Sequence, residues 1–132
     1  MEVIKTLPET ISCYLLKPVA LHFHVNDTAK KLMCEVICRF ASRDVTLKLP
    51  PMEITPNKRN VIRLGGIQTL PEDINVFTVY LKIFDENNVG VKMKTKVRVA
   101  RNINMQAYIN LNKPGTRAHY LTIPEHNWDI TQ

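Results

Sequence analysis

The apolar residues of this chain fall into short runs of strict alternation, and the cleanest of them runs from Val91 to Val99. There Val91, Met93, Thr95, Val97 and Val99 point to one side of an extended strand, and Lys92, Lys94, Lys96 and Arg98 to the other. A helix would scatter those charges around its circumference and leave no apolar stripe, so the pattern predicts a strand. Just upstream, Val76 to Phe84 reads as a strand with both faces partly covered, and Asp85-Glu86-Asn87-Asn88 turns the chain toward Gly90. The two strands form a hairpin. In its simplest register Phe77, Val79, Leu81 and Ile83 share a face with Val97, Thr95, Met93 and Val91, Lys82 sits beside Lys92, and Tyr80 lies near Lys94.

Further strands follow the same period. After the breaker Pro18, Val19, Leu21, Phe23 and Val25 alternate with Ala20, His22, His24 and Asn26, and a less clean strand precedes them at roughly 10–16. Val45, Leu47 and Leu49 alternate up to Pro50-Pro51, and Met52–Thr55 and Asn60–Leu64 flank a polar loop. Lys113-Pro114-Gly115-Thr116 has the chemistry of a type II turn joining Met105–Leu111 to Arg117–Ile123. The segment 28–42 reads two ways. As a strand it puts Leu32, Cys34, Val36, Cys38 and Phe40 on one face. As a helix capped by Asn26 or Asp27, it gathers Ala29, Leu32, Met33, Val36, Ile37, Phe40 and Ala41 on one stripe, with Lys31, Glu35 and Arg39 at i,i+4 spacing opposite.

About eight or nine short antiparallel strands with regular turns predict an all-β fold, a sandwich, with a helix at 28–42 as the competing variant. The stretch Leu70–Val99, with Leu70-Pro71-Glu72-Asp73 before a strand and hairpin, resembles the last three strands of immunoglobulin-like and fibronectin-type sandwiches. The resemblance implies an immunoglobulin-like architecture and no particular function. It lacks the cysteine pair and core tryptophan of antibody-type domains, and Phe77 stands where a corner tyrosine is expected. The length suits one β-sandwich domain over 1–124, followed by a C-terminal tail, 125–132, that carries Trp128.

Charge adds a functional expectation. Lys and Arg number 18 against 12 Asp and Glu, a formal +6, which points to an acidic protein, nucleic acid or an anionic membrane surface as partner. On the strand 91–99 the like charges stand about 6.6–7 Å apart and repel unless solvent, carboxylates or an anionic partner relieves them. Lys82, Lys92, Lys94, Lys96 and Arg98, with Tyr80 as a stacking surface, form the expected partner- or polyanion-binding platform. Trp128 is a second candidate contact, because aromatic anchors concentrate interface energy.

Signatures of catalysis are sparse. Gly65-Gly66 is not followed by Lys-Ser or Lys-Thr, and the paired acids Glu72-Asp73 and Asp85-Glu86 fall in turns. His22 and His24 lie on one strand face about 7 Å apart and could share a metal only with a third ligand such as Asp27, His119 or His126. The three cysteines are expected to be reduced. Cys34 and Cys38 would be about 13 Å apart on a strand, or about 6 Å apart with side chains directed outward on a helix. With no apolar run near the roughly 18–20 residues of a membrane span, a soluble chain in the cytoplasm or another intracellular setting is expected. The resulting expectation is a non-catalytic binding or assembly module for a protein partner or a homo-oligomer, without cofactor. A nucleic-acid binder using the same cations is the alternative, and an enzyme with a histidine metal site the second alternative.

Overall fold

Alternation at period two governs nearly every described element. In the computed structural model, residues 1–14, 19–64, 70–71, 73–100 and 119–122 are described. They form β1 (Glu2–Lys5), β2 (Thr10–Tyr14), β3 (Val19–Asn26), β4 (Leu32–Phe40), a 3₁₀ turn (Ala41–Arg43), β5 (Val45–Lys48), β6 (Met52–Ile54), β7 (Lys58–Leu64), β8 (Val76–Phe84), β9 (Gly90–Ala100) and β10 (His119–Thr122). The strands make two sheets, one ordered β1-β3-β7-β10 and the other β2-β9-β8-β4-β5, with β6 also pairing β4.

The core lies between the inner faces. Leu21, Phe23 and Val25 of β3 meet Val36, Cys38 and Phe40 of β4 and Val79, Leu81 and Ile83 of β8, all essentially without solvent contact. Phe40 and Phe77 pack with ring centroids 5.0 Å apart. Each buried side chain of this size removes roughly 1.5–3 kcal/mol of apolar surface from water, so the alternating strands close on one another.

The helical variant of 28–42 is overturned. Leu32 to Phe40 is a strand in which every second residue is buried and the residues between are half-covered. β8 pairs along one side of it, and β5 and β6 share the other. A central strand has both rows of backbone groups satisfied by neighbours, and its Val, Ile and Cys side chains suit the pleat better than a helix. Met33 and Ile37, which suggested the helical stripe, lie on the outer face opposite Phe84 and Tyr80 of β8.

Two further differences concern pairing. β1 has no alternation, all of it is exposed, and it becomes a strand only through its bulged antiparallel pairing with β3. β2 pairs β9 in parallel and β10 pairs β7 in parallel, so the expectation of purely antiparallel strands fails. The chain leaves β1 in one sheet and enters β2 in the other through residues 6–9 without a hairpin, and no local pattern signals that crossover. The proposed arms 105–111 and 117–123 lie outside the described residues except for β10, and the tail 125–132 lies outside them entirely.

Candidate functional site

β8 and β9 occupy the middle of the larger sheet, and their outer faces carry the cations. The hairpin register pairs Lys82 with Lys92, Tyr80 with Lys94, Thr78 with Lys96 and Val76 with Arg98, the register expected from the alternation. Val91, Met93, Thr95, Val97 and Val99 turn inward, with Met93, Thr95 and Val97 buried, while Lys92, Lys94, Lys96 and Arg98 are exposed. β9 is not an edge strand, because β2 flanks it. The lysines are therefore not edge protection but a band across a sheet surface.

The neighbouring strands extend that band. Across β8, Lys82 pairs with Glu35, Tyr80 with Ile37 and Thr78 with Arg39 of β4; across β4, Ile37 pairs with Lys48 and Arg39 with Thr46 of β5. Thr10 and Ser12 of β2 stand beside Lys96 and Arg98.

Four of the acidic residues nearby are engaged elsewhere. Glu35 Oε1 lies 3.4 Å from Lys48 Nζ rather than on Lys82, and Asp44 Oδ1 accepts from Arg39 Nη2 at 2.5 Å. Asp73 pairs with Arg43, and Glu53 with Lys31. The ammonium of Lys82 instead stands 5.4 Å from the centre of the Phe84 ring, a cation–π contact. Among the described residues no ion pair is made by Lys82, Lys92, Lys94, Lys96 or Arg98. Amid them Tyr80 and Val76 keep 43% and 47% of their surfaces exposed, so the platform has apolar ground between its charges.

Ile37, Phe84 and Val76 were missed as members of this surface. Phe84 and Val76 follow from the alternation of β8 itself, whereas the place of Ile37 depends on the β4–β8 pairing, for which the sequence of 28–42 offers no unambiguous signal. Trp128 lies outside the described residues.

The histidine pair has other partners. His24 Nε2 lies 2.8 Å from Asn26 Oδ1, and His22 Nδ1 lies 3.1 Å from Arg59 Nη2. The described residues contain no group of three or more His, Cys, Asp or Glu placed to hold a metal. Cys13, Cys34 and Cys38 are buried and form no disulfide among the described residues, and burial pushes the thiols of Cys34 and Cys38 up to about 12. They face the core, and such protonated thiols are poor nucleophiles and poor metal ligands. Among the described residues no helix is long and apolar enough to cross a membrane. Comparison with known proteins gave no match among family models, curated proteins or solved structures.

Proposed function

We propose that this protein is a non-catalytic binding module whose basic sheet face engages an acidic protein surface. One observation carries the reading: Lys82, Lys92, Lys94, Lys96 and Arg98 share the outer face of adjacent strands, form no ion pair among the described residues, and surround the exposed Tyr80. A carboxylate-rich partner relieves the repulsion between these cations, and Tyr80 with Val76 supplies the apolar contact that charge alone lacks. Either a hetero-partner or an acidic surface on a second copy fits this chemistry. The three buried cysteines, which form no disulfide among the described residues, suit an intracellular setting.

The immunoglobulin-like form of the sandwich belongs to the same proposal. The orders β1-β3-β7 and β9-β8-β4 correspond to the A-B-E and G-F-C orders of such sandwiches, with β5 extending the second sheet as in the variable type.

The test is fluorescence anisotropy with a labelled oligoglutamate peptide and a labelled single-stranded oligonucleotide, each at low and at physiological salt. Peptide binding that disappears in Lys94→Glu/Lys96→Glu supports the reading. Tighter binding of the oligonucleotide, with the steep salt dependence of phosphate contacts, replaces the protein partner by nucleic acid. Binding of neither probe, or binding unchanged by the double substitution, overturns the basic-face reading.

A further inference from the structure

β1 forms one edge of the smaller sheet, and that edge is apolar and open. Among the described residues no strand pairs with β1 on the side away from β3. Its residues Glu2, Val3, Ile4 and Lys5 are all exposed. Three of the six large hydrophobic side chains exposed among the described residues, Met1, Val3 and Ile4, lie along this one edge. Ile4 is also the extra residue of the bulge: Val3 pairs with Val25 and Lys5 with His24, and Ile4 has no partner on β3. An edge strand offers a row of backbone donors and acceptors to another strand, and exposed aliphatic side chains beside that row add to the attraction.

The order of residues on β1 selects the strand that fits. Laid antiparallel against itself, Glu2-Val3-Ile4-Lys5 meets its own complement, with Glu2 opposite Lys5 of a second copy and Val3 opposite Ile4. Both contacts recur across the two-fold axis, as a closed pair of identical surfaces requires. Residues directly opposite in an antiparallel ladder share a face, so the charges attract and the aliphatic groups pack. Sliding the copy by one residue sets Glu2 against Ile4, or Lys5 against Val3, and a parallel arrangement brings like charges together. A lysine and a bulge are devices that keep foreign strands off an edge. On β1 the lysine is answered by the acid of the same strand, so the charge that repels other strands admits this one.

We propose that the protein forms a weak two-fold dimer by antiparallel addition of β1 to β1 of a second copy, joining two four-stranded sheets into one continuous sheet. A ladder this short falls below the roughly 1,200 Å² of standard stable interfaces, which places the dissociation constant on the order of 0.1 mM. The surface is separate from the outer face of β8 and β9 and uses none of its residues.

The experiment is sedimentation velocity of the full chain at physiological salt, from about 0.01 mM to about 1 mM, with ¹H–¹⁵N spectra over the same range. Conversion of monomer to dimer is expected, with amide shifts concentrated on residues 2–5. Glu2→Lys raises the net charge of +6 and Lys5→Glu lowers it, so a general charge effect moves the two variants in opposite directions. The register instead predicts that each alone weakens dimerisation, by about fivefold or more, because each sets like charges opposite one another twice in the dimer. Mixed in equal amounts, the two variants form a heterodimer, and the double variant Glu2→Lys/Lys5→Glu recovers the original affinity; both recoveries require that the single substitutions leave the fold intact. A monomer over the whole range, single variants that shift dimerisation in opposite directions, or a mixture no more dimeric than its components overturns the proposal. A chain that stays monomeric yet binds an added acetylated Thr-Val-Thr-Val-Thr peptide through residues 2–5 gives the edge a foreign occupant and overturns self-pairing.

Discussion

Thr95 is 1% exposed and directs its hydroxyl into the core without a hydrogen-bond partner among the described residues. Alternation needs some residue there that suits a strand, and threonine keeps the β-branched shape at the cost of a buried polar atom. Thr95→Val conserves the shape and removes the hydroxyl, so it is expected to stabilise the protein by about 1 kcal/mol, read as a higher urea midpoint at unchanged slope. Destabilisation by this substitution shows that the hydroxyl is bonded after all. Cys34 and Cys38 pose a related problem, since their thiols keep their protons in the fold up to about 12, against an ordinary value of 9.0. In the unfolded chain they ionise from about pH 9, so that state binds fewer protons above this pH and stability falls as pH rises from 9 toward 12. The loss approaches roughly 1.4 kcal/mol per pH unit for each thiol ionised only in the unfolded chain. Equilibrium unfolding across this range is expected to decline less steeply in Cys34→Ala/Cys38→Ala, and a thiol-specific disulfide reagent is expected to stay unreactive until the chain is denatured.

At the scale of elements, the β8–β9 hairpin shows why some of this fold was legible in the sequence. Asp85 Oδ1 accepts from the backbone N–H of Asn87 at 2.9 Å and of Val89 at 3.0 Å, and Asn88 takes the left-handed conformation with φ 60°. Gly90 packs so closely on the Ile83 carbonyl that a Cβ would overlap its oxygen. Turn chemistry and alternation therefore fix one register together, and both are local properties of the sequence. Asp85→Ala is expected to cost about 1–2 kcal/mol in chemical denaturation, and Gly90→Ala more. A neutral Asp85→Ala places the determinant of the turn elsewhere. The segment 28–42 lacked such agreement: its apolar residues satisfy both periods, and only β8 on one side with β5 and β6 on the other select the strand. The same limit applied to the sites. The cations of β9 were visible in one strand's alternation, but Ile37 beside Tyr80, Glu35 turned to Lys48, and β1 as an exposed sheet edge are products of pairing between distant segments.

For the molecule as a whole, the consequence is an uneven distribution of charge. Four described acids near the larger sheet, Asp44, Asp73, Glu53 and Glu35, are paired with Arg39, Arg43, Lys31 and Lys48, and the band on β8 and β9, which makes no ion pair among the described residues, carries part of the formal +6. Lys82 and Lys92 sit directly opposite, and successive cations on β9 are about 7 Å apart, well inside the screening length of dilute salt. Folding brings these charges into one surface, so their repulsion acts against the native state and weakens as salt is added. Between about 0.01 M and about 0.15 M ionic strength the screening length falls from about 30 Å to about 8 Å, and the melting temperature is expected to rise by roughly 3–5 °C. Lys94→Gln/Lys96→Gln should melt higher at low salt and lose more than half of that salt response. Lys30→Gln/Lys58→Gln removes the same net charge elsewhere on the surface and distinguishes a local cluster from the general positive field of the molecule. A salt response reduced equally by both pairs assigns the repulsion to net charge alone, whereas a selective effect of the β9 pair locates it on the face that an acidic partner would neutralise.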